Sequence, residues 1–296
     1  MPNGSIFKIT RGLCVLLALC APLLSSCEAK LFKEAKSETS AVATDAEDGM
    51  NTLVFDKRHY SYEGDPENIR AENSDVVITR SGSYRISGVL TDGSVVIDAG
   101  YSACVRILLD GAELTSTKGS PITVRSAAAV TVELAENSLN ILSDTESGDA
   151  DGGVIYADSD LCFTGGGKLI VSAKRDSAIV CTSNLTVSGG SITLSAPRDA
   201  IFVRDRFLID GGRLTVTHAE RGIVTDSTES SAGVIRATGG SLVIKCEKDA
   251  LYASRQLLLT GGTGSILARN AYRCEREANG ETVKGEIYVS QSWRTD

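Results

Sequence analysis

Histidine, tryptophan, proline and aromatic residues are all scarce in this chain of 296 residues. It has two histidines, one tryptophan and five prolines, and aromatic residues make up 5 % of it. The spacing of His59 and His218 supports no Ser/His/Asp arrangement, so a hydrolase with such a triad is not predicted. We expect His218 to lie in a turn or to be half-buried, because it shares a repeat position with Ala196 and Cys246. The scarcity of proline, together with many β-branched residues, favours strands, and no segment has the spacing of an amphipathic helix.

The sequence also lacks an apolar run of the length that a membrane span needs. Its longest run, LCVLLALCAPLL, has about a dozen residues, whereas a spanning helix needs about 20. Lys8 and Arg11 precede the run, which is the pattern of a secretory signal. The run ends in Leu-Ser-Ser before Cys27, which resembles the lipobox of bacterial lipoproteins. We therefore predict a lipoprotein signal peptide over residues 1–26 and a lipid on Cys27, with an ordinary signal peptide as the alternative.

The segment 27–51 has no periodic apolar pattern and is rich in alanine, serine, threonine and charged residues. Such a composition is typical of a flexible tether. The expected protein is therefore an exported bacterial lipoprotein of the cell envelope, at the outer membrane or cell surface rather than the inner membrane. We expect it to be a monomer that contacts the membrane only through its lipid.

Positive charge is in deficit, since the formal net charge is −8. Removal of Lys8 and Arg11 with the signal peptide leaves −10. This balance argues against nucleic acid as a partner, and against anionic membranes and pectin-like polyanions unless a cation bridges them.

The cysteines lack the spacing of a metal site. Three of the eight lie in or at the end of the signal segment, and no CxxC pair occurs among the rest, so zinc is not predicted. We interpret the other five as small buried apolar side chains. One disulfide that involves Cys274 is the alternative. The five are Cys104, Cys162, Cys181, Cys246 and Cys274.

What the sequence does contain is a repeated glycine pair between apolar stretches. The pairs begin at steps of 24, 22, 28 and 22 residues. A strand-rich repeat of this length indicates a solenoid. The first glycines of the pairs are Gly165, Gly189, Gly211, Gly239 and Gly261.

Apolar residues before and after the glycine pairs align into columns. Each repeat holds three short strands that bury their apolar faces only when they stack in register. The prediction is an all-β, single-stranded parallel β-helix with about 22 residues per coil, over residues 52–296, with an irregular cap at about 268–296. A β-sandwich is the alternative, because Asp92-Gly93 and Asp110-Gly111 are hairpin signals. The first predicted inward column is Ile155, Ile179, Ile201, Ile223 and Leu251.

Two long segments carry a family resemblance. ITRSGSYRISGVLTDGSVVIDAG from Ile78 and VRILLDGAELTSTKGSPITVRSAAAVTVELAENSLNILSD from Val105, followed by the D-x-I coils, resemble the bacterial secreted carbohydrate-binding-domain proteins with a pectate-lyase-like β-helix. The resemblance covers about residues 76–267. It implies a right-handed parallel β-helix that binds cellulose- or pectin-like polysaccharide and holds calcium, without an established enzymatic activity.

The family's coil motif D-G-I-x-x-x-D is kept unevenly. Asp199 and Asp205 keep both acids of one coil, and Asp249 keeps the first acid of another. The resemblance implies that these three residues ligate calcium, which prefers six to eight oxygens. The alternative is a charge ladder without metal, because stacking would place Arg221 beside Asp199 and alternate the sign of charge along the stack.

An aromatic strip is the candidate carbohydrate contact. Tyr156, Phe202 and Tyr252 occupy the column next to the inward isoleucines, and neighbours in a strand point to opposite faces. The strip would face outward and stack on sugar rings. The alternative is that these side chains only pack on each other along the sheet.

The predicted function is binding of a polysaccharide without turnover, with calcium assistance as the resemblance implies. One alternative is a pectate-type lyase, for which Arg198, Arg204 and Arg206 are the candidate bases beside a cation. The other is a structural or adhesive surface lipoprotein without a glycan ligand.

Overall fold

The computed structural model describes residues 49–146, 152–229, 231–278 and 280–295. Those residues form an all-β parallel solenoid of about eight turns, as predicted, and not a β-sandwich. The predicted signal peptide, Cys27 and nearly all of the tether lie outside the described residues. Among the residues that are described, no helix is long and apolar enough to cross a membrane.

Twenty-seven strands and one short 3₁₀ helix, Pro66–Asn68, make up the described chain. The strands are β1 Asn51–Lys57, β2 His59–Glu63, β3 Ile69–Glu72, β4 Asp75–Ile78, β5 Gly82–Leu90, β6 Val95–Asp98, β7 Cys104–Ser116, β8 Ile122–Ser126, β9 Ala129–Leu134, β10 Leu139–Asp144, β11 Gly153–Ala157, β12 Asp160–Gly165, β13 Lys168–Ser172, β14 Ser177–Cys181, β15 Asn184–Val187, β16 Ser191–Ser195, β17 Asp199–Val203, β18 Arg206–Ile209, β19 Arg213–His218, β20 Arg221–Thr225, β21 Val234–Lys245, β22 Asp249–Ala253, β23 Gln256–Leu267, β24 Asn270–Ala278, β25 Glu281–Lys284, β26 Glu286–Val289 and β27 Trp293–Thr295.

The strands stack into three faces around one core. Sheet I has eleven strands and runs from β3 through β4, β6, β8, β11, β14, β17, β20 and β22 to β24 and β25. Sheet II holds the strands that precede the glycine pairs, such as β12, β15 and β18. Sheet III holds those that follow the pairs, such as β13, β16 and β19. Long strands, β7 and β21 among them, run from sheet II into sheet III and join the two into one hydrogen-bonded sheet of sixteen strands.

The core consists of apolar columns in register. The predicted column of isoleucines in sheet I is confirmed, and each member is buried and paired with its counterpart in the next coil. It begins three coils earlier than predicted, because Ile122 pairs with Ile155, Val95 with Ile122, and Val76 with Val95. In sheet II, Ile235 lies between Phe207 and Leu257 in a second apolar column.

The coils average about 24 residues, slightly more than predicted. The shorter coils have the predicted length, since Arg221 follows its partner Asp199 by 22 positions. Other coils are longer. The Ser120 hydroxyl, for example, donates to the Gly153 carbonyl 33 positions further along the chain.

The glycine pairs mark a close approach between the backbones of successive coils. A Cβ on Gly211 would lie 2.2 Å from the carbonyl oxygen of Ser188, and one on Gly239 would lie 2.2 Å from that of Asp210. The second glycine of four of the five pairs, such as Gly212 with a φ of +64°, adopts the left-handed conformation that glycine favours. The repeated glycine pair therefore marks a turn in which the main chains of successive coils are in contact.

The ends of the solenoid depart from parallel stacking. Strands β1 and β2, and likewise β3 and β4, pair antiparallel at the N-terminal end, and β24 and β25 do so near the C-terminal end. Trp293 packs into the space above Gly264, and its indole N–H donates to the Gly261 carbonyl at 3.3 Å. This side chain closes the apolar core at the last turn.

The structure excludes one hairpin signal of the β-sandwich alternative and corrects the predicted position of His218. Asp110 and Gly111 lie within β7 and form no hairpin, since Gly111 only bends the strand with a φ of +74°. His218 is exposed and stacks on Ser195 rather than on Ala196, because the register shifts at a bulge after Leu194. A one-residue bulge moves a side chain to the other face of a sheet.

Candidate functional site

The outer face of sheet I carries a continuous column of side chains, here called the outer ladder. Tyr156, Phe202 and Tyr252 lie in it two coils apart, as predicted. Successive members pair in register along the whole sheet. The ladder is Val77, Val96, Thr123, Tyr156, Val180, Phe202, Val224, Tyr252 and Arg273.

Neighbouring side chains pack over the C-terminal part of the outer ladder and cover it. The guanidinium of Arg273 lies 5.6 Å from the centre of the Tyr252 ring, and the Tyr252 hydroxyl donates to the Glu275 carbonyl at 2.8 Å. Burial raises the pKa of that hydroxyl. Val224, between Phe202 and Tyr252, has no exposed surface. A face of Tyr252 is thus covered by a cation, and this residue fits the packing alternative better than a sugar platform.

The N-terminal part of the ladder opens into a cleft of about 380 Å³. Tyr156 forms part of its wall, and the Tyr156 hydroxyl donates to Oδ1 of Asp158 at 3.0 Å. The wall combines this aromatic ring with three acids and two basic side chains. The side chains that define the cleft are Asp75, Asp92, Lys118, Arg125, Tyr156 and Asp158.

Hydrogen bonds from the backbone hold two of the acids in place. Oδ1 of Asp75 accepts from the Ser94 N–H at 2.9 Å, while burial raises the pKa of the Asp75 carboxyl. Oδ1 of Asp92 accepts from the hydroxyl of Thr117 at 2.7 Å and from its N–H at 3.2 Å, and the hydroxyl bond lowers the pKa of Asp92. Two carboxyls on one wall thus differ in their affinity for a proton.

Both basic side chains of the cleft are exposed, as is Asp158, whereas Asp75 and Asp92 are partly buried. Arg125 lies 3.5 Å from a carboxylate oxygen of Glu72. For Lys118, no ion pair forms with the residues that the structure describes. Asp158 accepts from Thr182 at 2.9 Å as well as from Tyr156. The cleft can therefore both donate and accept hydrogen bonds next to an aromatic surface.

The three predicted calcium ligands lie in separate environments and have different partners. The Asp199 side chain is 1 % exposed, and both its oxygens accept from Arg221, at 2.6 and 2.8 Å. Burial raises the pKa of Asp199, although the guanidinium opposes that shift. Asp249 accepts from Arg273 at 3.3 Å and from the Asn270 amide at 2.7 Å.

Asp205 lies beyond the other end of β17 from Asp199, and a five-residue strand spans about 13 Å. Burial and the neighbouring Glu229 raise the pKa of Asp205. The described residues contain no group of three histidine, cysteine or acidic side chains that could hold a metal. Because arginines form ion pairs with the carboxylates of Asp199 and Asp249, the three predicted ligands do not fit a calcium site.

The predicted charge ladder is present at the start of the strands of sheet I. Arg198 pairs with Asp176 at 3.3 Å, and Lys248 pairs with Glu220 in the coils above. Together with the Asp199–Arg221 pair, these contacts alternate in sign from coil to coil. Arginine and lysine thus neutralise the acids of this edge.

The three arginines considered for a lyase are not brought together. Arg198 precedes β17 and pairs with Asp176 and, at 3.8 Å, with Asp199. Arg204 and Arg206 follow the same strand at its opposite end. No single substrate position lies beside all three.

Cys162, Cys181, Cys246 and Cys274 are free thiols. Cys162, Cys181 and Cys274 are buried, Cys246 is partly buried and Cys104 is exposed. Burial raises the pKa of Cys162 to about 11 and that of Cys181 to about 12. The interpretation as small apolar side chains holds for the buried three, and the alternative disulfide through Cys274 is absent.

The sequence pattern did not predict the cleft. Its acids and bases come from four coils of the N-terminal half, where no glycine pair sets the register. The turn signal at Asp92-Gly93 marks one wall, but the residues alone do not place it beside Tyr156.

Comparisons with known proteins agree with this architecture. The chain is similar to a polysaccharide lyase-like protein from C. thermocellum, solved as a gadolinium derivative, with a TM-score of 0.75 and 26 % identity over 82 % of this chain and 98 % of that one. It is 31 % identical over 151 residues to a carbohydrate-binding domain-containing protein of Acetivibrio thermocellus, which is 49 % of this chain. The match covers 52 % of that relative, about half its length. The model of the carbohydrate-binding domain-containing protein family matches residues 72–291. The chain belongs to this family.

Proposed function

We propose that this protein binds an extended polysaccharide along the outer face of sheet I without cleaving it. The observation that carries the proposal is the continuity between the outer ladder and the cleft beside Tyr156. An aromatic ring, an apolar column and hydrogen-bonding side chains lie together there, and this is the combination that a chain of sugar rings requires. Membership of a carbohydrate-binding family supports the same conclusion.

The dimensions of the face suit an extended ligand. Adjacent coils lie about 4.8 Å apart, so Tyr156 and Phe202 are separated by roughly 10 Å along the solenoid axis. On one side of the outer ladder, a column of charged and polar residues lies at the C-terminal ends of the sheet I strands. On the other side, the charge ladder lies at the N-terminal ends of the same strands. A glycan that runs along the axis would thus meet an apolar floor between polar edges. The first of these columns includes Arg125, Asp158, Thr182, Arg204 and Asp226.

Binding is favoured over lyase chemistry by the partners of the candidate residues. A lyase needs a base beside a cation that stabilises the developing charge on a uronate. Arg198 already pairs with Asp176 and Asp199, and the carboxylates of Asp199 and Asp249 are held by arginines. Calcium therefore has no part in the proposal.

Retention in native gels that contain soluble polysaccharides tests the binding proposal. We expect Tyr156→Ala to weaken retention at least about tenfold, or about 1.4 kcal/mol, because the variant removes the ring at the mouth of the cleft. Tyr101→Ala is the matched control, since Tyr101 is 80 % exposed and lies outside the cleft. Equal retention of the two variants would contradict the proposed site. A folded protein that no polysaccharide retains would instead favour the structural or adhesive alternative.

We also propose that the protein reaches the cell envelope as a lipoprotein anchored through Cys27. The apolar run before Leu-Ser-Ser-Cys supports this. Cells fed an alkyne-tagged fatty acid should label the protein, and Cys27→Ser should abolish the label. A label that persists in this variant would refute the anchor.

A further inference from the structure

The charge of the cleft bears on which polysaccharide the protein accepts. Three carboxylates and two basic groups line it, and a further acid, Glu72, lies beside Arg125. We propose that the cleft is the anchoring subsite and that it selects an uncharged polysaccharide over a polyuronate. This inference rests on the proposed function and specifies its ligand.

The acids of the cleft are arranged to accept hydrogen bonds from hydroxyl groups. Oδ1 of Asp75 is taken by the Ser94 N–H, and Oδ1 of Asp158 is taken by Tyr156 and Thr182. Among the described residues, no hydrogen bond reaches the second oxygen of either carboxylate. Ionised carboxylates make strong hydrogen bonds with hydroxyl donors, and every unmodified sugar ring offers several.

The same acids oppose a carboxylated sugar. A uronate in the cleft would bring its charge near Asp75, Asp92 and Asp158. Of the two basic groups, Arg125 is already partnered by Glu72. Asp92 is paired with Arg58 at 3.9 Å, and Lys118, the other basic group of the wall, is exposed and screened by water. Like charges at close range give discrimination against the wrong ligand, so a neutral sugar is preferred.

The position of the cleft makes it the anchor rather than an extension. It surrounds the early part of the outer ladder, from Val96 to Tyr156, whereas the far end of the ladder is covered by Arg273. A glycan seated in the cleft would continue over Val180 and Phe202. Contacts in a concave site are better shielded from water than those on the flat part of the ladder, and they should dominate affinity.

Affinity electrophoresis of the full chain against separate gels of hydroxyethyl cellulose, xylan, glucomannan and polygalacturonate tests this inference. All gels contain a chelator, so that no divalent cation bridges a uronate to the protein. We expect at least one uncharged polymer to retain the protein, and polygalacturonate not to. Asp75→Asn and Asp158→Asn should weaken that retention at least about fivefold, because a neutral amide accepts hydrogen bonds more weakly than a carboxylate. Asp110→Asn is the charge-matched control and should leave retention unchanged, because the Asp110 side chain is 42 % exposed and does not line the cleft.

The outcomes separate the two proposals. Stronger retention by polygalacturonate would overturn the selectivity, as would retention by an uncharged polymer that both cleft variants leave intact. In that second case a loss on Phe202→Ala would preserve binding along sheet I and remove only the role of the cleft. Failure of every polymer to retain the folded protein would overturn the proposed function itself. Thermal melts of the variants establish that they are folded.

Discussion

Arg221 lies one coil above Asp199 and holds a carboxylate that is almost completely shielded from solvent. Both oxygens of Asp199 accept from the guanidinium, whose side chain is 26 % exposed. A charged group in such a place needs its partner, because an unpaired buried charge is costly. The pair therefore neutralises a buried acid at a position where the family motif implied calcium.

Arg221→Ala should lower the free energy of unfolding by about 3 kcal/mol, since it leaves Asp199 buried without its cation. The measurement is chemical denaturation at neutral pH. Lys248→Ala is the control, because its pair with Glu220 is exposed, and we expect little change from it. Similar losses from the two variants would contradict the account of Asp199. Addition of calcium to the wild type should leave its stability unchanged, whereas a clear gain would show that a cation site had been overlooked.

The coil length of 22 residues is enough to predict the Asp199–Arg221 contact, because both residues lie between well-aligned glycine pairs. The contact of Arg273 with Tyr252 was not predictable in this way. Arg273 lies beyond the last glycine pair, so the sequence offers no mark that fixes its register. The alignment of the aromatic strip is therefore confirmed, whereas the contact that covers one face of Tyr252 was not part of the prediction.

At the level of the elements, the glycine turn between sheets II and III sets the register of the coils. The backbones meet there without side chains, since a Cβ on Gly212 would lie 2.6 Å from the Gly189 carbonyl oxygen. This turn is what made the strands of the C-terminal half predictable. In the N-terminal half the corresponding turn has no glycine pair to mark it, as at Gly88, where a Cβ would lie 2.1 Å from the Phe55 carbonyl oxygen. The cleft built there from four coils was therefore not predicted.

Gly212→Ala tests the turn against a matched position. Gly212 and Gly111 both have a left-handed φ, +64° and +74°, but a Cβ on Gly111 would meet nothing within 4 Å. Both substitutions should cost about 1–2 kcal/mol in backbone strain. Gly212→Ala should cost about 1–3 kcal/mol more, because the neighbouring coil must move. Equal losses of unfolding free energy would show that contact between the coils does not dictate the glycine.

For the molecule as a whole, the solenoid separates stability from recognition. Each coil contacts only its neighbours, the interior is a set of apolar columns, and the outer faces are long and flat. Fold and family could be predicted from the repeat and from the long segments that carry the resemblance. The ligand-binding region could not, because it depends on how non-repeating residues of four coils meet at one corner.

The net charge of the chain, −8, favours the same kind of ligand as the cleft does. An acidic solenoid repels polyanions at long range, so an uncharged polysaccharide meets no electrostatic barrier. The basic residues of sheet I are largely consumed in pairs with acids, as Arg198 and Arg221 show. The charged side chains thus mainly pair with each other and disfavour polyanionic ligands, rather than attract a charged ligand.

Hydrogen–deuterium exchange of the full chain, with and without a saturating polysaccharide that retains it, tests the central claim most directly. The account predicts slower exchange in peptides that contain β6, β8 and β11 and the turns that bear Asp92 and Lys118, with weaker protection at β14 and β17. Sheets II and III should exchange as in the free protein. Protection confined to sheet II or sheet III, with none in β8 or β11, would contradict it.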